Sequence, residues 1–349
     1  MTTTGGGATG DGKQATGGLP TYVERGGEVV YSPPGVANGV QMYAFMLRAD
    51  VDRMQLMYDR YLNGPSGGAV QYEPAGSIIV LNFTSLARVG ALTPPDVERG
   101  YFAESEVAIW TLAYDRVSGE YATFVPYMVV DRGSAMAMGR EVYGFPKQLG
   151  QVTMPSLDEP TTTFALEVDA VRNWGPGEPF EQQRLITITS SNDTAPPPES
   201  DFVSQQHLVG AMAALIGEDS GLLSRIAGGP DQLDHAANAV ELLAQQRLPM
   251  VFLKQIRDGH MPLQACYQAV QTAEFVVTGF RGAGQLPGSF VVDIAEFANE
   301  PIRRDLGLPA GPIDPVGAFW VDFDFTLSTA QVVWASNAAT VTVRSRIPS

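Results

Sequence analysis

Apolar positions recur along the chain with two periods, and the change of period divides it. Short runs of apolar, β-branched and aromatic residues stand between turn residues at Val40 to Leu47 (VQMYAFML), Ser77 to Phe83, Val107 to Tyr114 and Tyr121 to Val130. That spacing predicts strands of a meandering antiparallel sheet. Between the first two, Asp50 reads as the cap of a helix through Val51, Met54, Met57, Tyr58, Tyr61 and Leu62, which Asn63-Gly64-Pro65 stops. Ser134 to Val142 suits a short helix or turn that Gly144-Phe145-Pro146 ends. Thr162 to Val171 and Arg184 to Thr189 resume the strand pattern.

The period then turns helical. Three consecutive prolines, residues 196–198, precede Asp201 as a cap, and Phe202, Val203, His207, Leu208, Ala211, Met212, Leu215 and Ile216 fall on one stripe. Leu233, Ala236, Val240 and Leu243 make a second stripe, so residues 201–248 read as a helical insert. Strand signals return at Met250 to Ile256, Ala273 to Phe280, Ser289 to Ile294, Ala318 to Leu327 and Thr340 to Val343. With no βαβ alternation, a parallel Rossmann-type sheet is disfavoured. The Gly-rich first 20 residues read as a flexible tail. The rest, 21–349, reads as one domain, although 349 residues would accommodate two.

Composition narrows the function classes. Acidic residues outnumber basic ones 38 to 22, a net charge of −16, which excludes an electrostatic grip on nucleic acid and on anionic lipid and leaves small molecules as the expected partners. No apolar run of about 18 residues exists, and the N-terminus lacks a basic start with an apolar segment, so neither a membrane span nor a signal peptide is expected. A single cysteine, Cys266, read as a buried small hydrophobe, excludes an internal disulfide and fits a reducing cytoplasm. His207, His235 and His260 are too far apart in sequence for a zinc motif, and no metal is expected.

Of the 22 basic residues only three are lysine: Lys13 in the tail, Lys147 and Lys254. Arginine cannot become a neutral nucleophile near pH 7, so a lysine kept in the folded body raises the question of amine chemistry. Lys147 follows Phe145-Pro146, with Met136, Met138 and Val142 upstream; apolar walls would disfavour its ammonium and leave a nucleophile fit for a Schiff base. The alternative is a surface lysine at a helix end, favoured by the helix dipole. Lys254, within an apolar strand, reads as solvent-facing or as a second cavity amine. The stretch from Gly279 to Gly284 lacks a Walker-type lysine and reads as a turn.

The run GREVYGFPKQLG, residues 139–150, resembles the active-site segment of the acetoacetate decarboxylase family, in which a Gly-Arg-Glu stretch leads into an aromatic residue, proline and the imine-forming lysine. GYFAES, residues 100–105, resembles the family segment that carries an active-site glutamate, about 40 residues upstream, as here. The resemblance covers Val40 to about Gly150 and returns loosely from Val251 to Leu327. It implies a closed, cone-shaped, mainly antiparallel β-barrel of α+β class around an apolar cavity, in a homo-oligomer, with no cofactor. By motif position Lys147 would be the Schiff-base nucleophile and Glu104 its acid/base or electrostatic partner, with a pKa raised by an apolar interior. Arg140, Glu141, Tyr143, Phe145, Gln148 and Glu106 would handle substrate, Arg140 and Glu141 equally fitting a buried loop anchor. Glu106 shares a strand face with Glu104 and reads as a second acid or a solvated residue.

Three departures bear on the substrate. Gln148 stands where the family's decarboxylases carry a second lysine, the expected N-terminal arginine falls at about Val40 or Gln41 ahead of Arg48-Ala49-Asp50, and a further acid is replaced near Asn82. Acetoacetate decarboxylase is itself the standard example of a lysine activated by desolvation or by an adjacent cation, and only the first route remains here. The expected activity is therefore a cofactor-independent Schiff-base lyase decarboxylating a β-keto acid. The alternatives are an aldolase-dehydratase joining pyruvate to an aldehyde, and a barrel that only binds an apolar ligand.

Overall fold

The computed structural model describes residues 21–23, 29–155, 163–191 and 247–336. The tail, the helical insert up to residue 246 and the strand at Thr340 to Val343 lie outside the described residues, while Arg247 and Leu248, counted with the insert, already belong to a strand. Within them the chain is mostly strand with few helices, as the pattern implies. The strands are β1 Gly35–Arg48, β2 Tyr72–Ala91, β3 Phe102–Asp115, β4 Glu120–Val130, β5 Lys147–Thr153, β6 Phe164–Ala170, β7 Glu181–Ser190, β8 Arg247–Arg257, β9 Ala265–Gln285, β10 Phe290–Ile294, β11 Gly317–Leu327 and β12 Gln331–Ala335. Short helices α1 Val51–Tyr58, α2 Gly133–Met138 and α3 Ile302–Leu306 lie between them. Each expected strand in the described part is present; most are longer, because apolar runs mark only the most buried stretch of a strand, while β6 and β10 are slightly shorter than the runs at Thr162 to Val171 and Ser289 to Ile294. The pattern missed β5, β12 and α3, all short. Gly279 to Gly284 is not a turn: it continues β9 alongside β11.

Following hydrogen-bonded neighbours from β4 through β3, β2, β1, β11, β9 and β8 leads back to β4. A second stretch, β10-β7-β6-β5, joins at β4. Pairing is antiparallel except at β4, which lies parallel to β8 at Thr123 and Phe124 and parallel to β5 at Met128 to Val130. Pro126, which has no N–H to give a ladder, stands between the two pairings. The wall forks there, and Lys147 begins the branch as the direct neighbour of Met128.

Both faces of β1 to β3 are buried, which is why they read as continuous apolar runs rather than alternating ones. Tyr43, Phe45, Leu81, Phe83 and Val107 pack on one face against Phe164, Leu166, Ile186, Ile188 and Phe290 of the second stretch. Phe164 sits edge-on to Tyr43, Phe45 and Phe83, with ring centroids 5.2, 5.1 and 5.4 Å away. Val40, Met46, Leu86, Ala108, Met128, Phe319, Val321 and Phe323 belong to a separate cluster on the opposite face, together with Tyr143 and Phe145. That second face carries the candidate site. α1 is capped as expected: the Asp50 side chain accepts from the Arg53 N–H at 2.9 Å. It buries Met54, Met57 and Tyr58 and runs on as a wider turn to Asn63.

Candidate functional site

The segment from α2 to β5 is folded by its glycines and proline. α2 widens into a turn over Gly139 to Tyr143, and Gly144, at φ +89°, ends it in the left-handed region where glycine carries no steric cost. The Gly144 and Phe145 N–H groups both bond the Gly139 carbonyl, at 2.9 and 3.0 Å. From β8 and β9, Lys254 donates to the Val142 carbonyl at 3.1 Å, and Gln271 donates to the Val142 and Tyr143 carbonyls at 3.1 and 2.7 Å. Arg140 donates to the Lys147 carbonyl at 3.0 Å. The turn that leads to the lysine is thus tied from β8 and β9, and the lysine carbonyl itself by Arg140.

Its side chain runs inward across Gly139, where a Cβ would lie 2.6 Å from the lysine Cδ. Glu104 and Glu106, two apart on β3, face it from one side of the strand: Nζ is 3.3 Å from Glu104 Oε1 and 3.7 Å from Glu106 Oε2. All three are buried, at 4%, 4% and 7% exposure. Together they form part of the wall of a cavity of about 80 Å³. The rest of that wall is carbon: Leu86, Val89, Trp110, Met128, Met138, Met250, Phe275 and Phe325 among others, with Phe145 and the ring of Tyr143. The Tyr143 hydroxyl is turned to the Leu327 and Ser328 carbonyls.

Burial is the largest single influence on the amine and pulls its pKa down, but the charges and hydrogen bonds of Glu104 and Glu106 together outweigh it, so the net direction is up. The expectation of an amine deprotonated by desolvation alone is thereby corrected: at rest Lys147 is an ammonium held by carboxyl groups that the neighbouring strand places beside it. The acid that burial displaces is Glu106, pushed up to about 8, with Glu104 adding to the rise and Lys147 opposing it. At neutral pH Lys147 therefore keeps its proton, and the neutral form is favoured at Glu106.

The structure brings Lys147, Glu104, Glu106, Tyr143 and Phe145 to one cavity. Arg140, Glu141 and Gln148 are not on its wall: Arg140 and Glu141 are exposed, and Gln148 turns away to donate to Glu300 at 2.8 Å. Neighbouring residues of a strand point to opposite faces, so Gln148 is excluded from the side that Lys147 faces. Lys254 is neither in the cavity nor facing solvent; it is half-buried against the loop, its amine lowered by desolvation against a smaller opposing pull from Glu141. Cys266 is exposed, not a buried hydrophobe. Trp110, Phe275, Phe325 and Gln271 do not stand out in the sequence, because apolar and amide residues carry no chemical signature there. Among the described residues no group of three or more His, Cys, Asp or Glu could hold a metal, and no helix is long and apolar enough to cross a membrane.

Fold and site define a strand-built protein with a buried lysine between two acids on an apolar cavity. Residues 61–173, which include all three, match the family pattern of acetoacetate decarboxylase (ADC), so the resemblance stated from two short motifs holds. Acetoacetate decarboxylase of Legionella pneumophila subsp. pneumophila shares the fold, with a TM-score of 0.56 at 14% identity over 92% of this chain and 94% of that one. An acetoacetate decarboxylase-like enzyme from Sphingomonas wittichii gives 0.51 at 13%, over 87% and 94%. The enduracididine biosynthesis enzyme MppR, in its complex with pyruvate, gives 0.50 at 16%, over 87% and 91%. No curated protein matches the chain.

Proposed function

We propose that this protein is a cofactor-independent Schiff-base lyase that decarboxylates a β-keto acid through an imine on Lys147. The observation that carries the reading is the Lys147 amine, buried and within reach of two carboxyl groups on an otherwise apolar wall. Glu104 takes a proton from the ammonium, the freed amine adds to the ketone, and the Glu104 proton leaves with the hydroxyl as water, giving a protonated imine. The imine accepts the electron pair of the breaking C–C bond as carbon dioxide departs, which leaves an enamine. Protonation at carbon and hydrolysis release the ketone, and one proton from solvent per turnover returns the amine to its ammonium.

The cavity is consistent with a substrate that loses its charge. A pyruvate aldolase keeps its carboxylate through every step and would call for a fixed cation to hold it, yet besides the amine itself no lysine or arginine among the described residues lines the cavity. We further propose that the strand circuit is the wall of a closed, cone-shaped barrel, that the protein acts as a homo-oligomer in the cytoplasm, and that Glu104 is its acid/base residue.

Borohydride reduction in the presence of acetoacetate should attach mass to Lys147, with carbon dioxide released in its absence, and Lys147→Ala should abolish both. Mass at Lys147 from pyruvate and an aldehyde, with no carbon dioxide from β-keto acids, would establish the aldol alternative. No adduct with any keto acid, together with an amine that titrates near its ordinary value of about 10.4, would leave a binding barrel.

A further inference from the structure

The imine mechanism uses one of the two acids and leaves Glu106 without a task. It also leaves the substrate carboxylate without a hydrogen-bond donor, since the only cation that the described residues put on the wall becomes the iminium, whose charge serves to accept the C–C electron pair. We infer that Glu106, as a neutral acid, receives the substrate carboxylate by an O–H···O hydrogen bond and then hands its proton to the carbon from which carbon dioxide has left. This assignment rests on the imine reading above.

Geometry places it there. Glu106 Oε2 lies 3.7 Å from Nζ, about the separation that sets a carboxyl group beside a substituent one carbon beyond the imine carbon. Glu104 Oε1 is closer to the amine, at 3.3 Å, and serves the nitrogen, while its Oε2 is buried without a hydrogen-bond partner. The groups that face Glu106 are few. Lys147 comes from β5 and Glu104 from its own strand, Thr84 and Val130 stand opposite it on β2 and β4, and Tyr143 shares the cavity with its hydroxyl turned away. Burial and Glu104 keep the acid protonated at neutral pH.

A neutral donor suits a carboxylate that must leave. A guanidinium would stabilise the bound carboxylate more than the departing carbon dioxide and so raise the barrier. An acid binds through a charge-assisted hydrogen bond without fixing an opposite charge. The atoms balance: the C–C pair moves into the iminium to give the enamine, carbon dioxide leaves, and the enamine pair takes the Glu106 proton at carbon. The iminium is restored and Glu106 becomes a carboxylate. That carboxylate removes a proton from the water that attacks the iminium, which returns the acid to its starting form.

The test compares two probes on the intact protein between pH 6.5 and 9.5. Acetoacetate carries the carboxylate, and acetylacetone puts an uncharged acetyl group in its place. The KM for acetoacetate should rise above pH 8 by about tenfold per pH unit, as a second negative charge comes to face the carboxylate. The concentration of acetylacetone that half-labels Lys147 should not follow it. Glu106→Gln keeps an N–H donor that cannot ionise, so the alkaline rise in KM should vanish while kcat falls by about 10²–10⁴ with the proton donor gone. Parallel pH dependences for the two probes, or an alkaline rise that persists in Glu106→Gln, would overturn the assignment and leave the imine standing. No adduct on Lys147 from either probe would overturn both.

Discussion

At the scale of the residue, the site is a problem in charge placed where water is scarce. An ammonium at 4% exposure is tolerated because two carboxyl groups touch it, and two adjacent acids are tolerated because the ammonium lies between them and one stays protonated. Removing one member leaves the others uncompensated, so the three act as a unit whose mutational effects will not add. Gly139 shows how narrowly the amine is aimed. A methyl group there would stand 2.6, 2.9 and 3.3 Å from the lysine Cδ, Cε and Cγ. Gly139→Ala should therefore displace the side chain from Glu104. The expected result is a loss of kcat of more than about tenfold, with overpacking costing about 1–3 kcal/mol of stability. Rate and urea midpoint measured on the same preparation check this, and unchanged kcat would show that the lysine has another route to the cavity.

At the scale of the element, β5 delivers Lys147 to the fork in β4, and its first residues are tied on both faces. Inside, Lys147 meets Glu104 and Glu106. Outside, Gln148 donates to Glu300 at 2.8 Å, and Asn299 donates to the same oxygen at 3.1 Å. Glu300 is 2% exposed and its carboxyl is raised, burial outweighing the Gln148 hydrogen bond. A glutamine after the lysine, which as sequence looks like the loss of a second amine, is in the structure the clamp that holds the strand start. Gln148→Leu strands part of a buried carboxyl and should cost about 1–3 kcal/mol in thermal or urea unfolding. Glu300→Gln, which keeps an acceptor for the Gln148 amide, should cost less. Equal losses in the two variants would count against the clamp.

At the scale of the whole molecule, a net charge of −16 acts on every part of the folded chain at once. Self-repulsion of that size destabilises a compact chain and is screened by salt, whose Debye length falls from about 30 Å at 0.01 M to about 10 Å at 0.1 M. The melting temperature should therefore rise by a few degrees between those two concentrations of sodium chloride, read by circular dichroism. The buried triad is shielded from solvent, so kcat for a keto acid should change far less than Tm over the same range. A Tm that falls with salt would show that local ion pairs, such as Arg281 with Asp322 and Asp324 at 2.6 and 2.7 Å, outweigh the overall repulsion.

How much of this could be read before any coordinates depended on whether the deciding interaction is local. The Asp50 cap, the turn at Gly144-Phe145-Pro146 and the strand runs of β1 to β4 follow from backbone preference and period, which neighbouring residues set among themselves. The lysine and the glutamate stood out because their chemistry is rare and their motifs are contiguous. The sign of the amine's pKa shift was misjudged from sequence because it turns on Glu104 and Glu106 together, 43 and 41 positions away in the chain and 3.3 and 3.7 Å away in space. Lys254 and Gln148 lost their expected surroundings for the same reason: strand alternation and a pairing partner far along the chain, not their neighbours, decide which way each side chain faces. The amino-acid sequence by itself determined most of the strands, the cap and turns beside them and a lysine set in a recognisable motif. Only the tertiary structure decided which charges meet that lysine, since electrostatic energy depends on distance through space and the fold alone sets it.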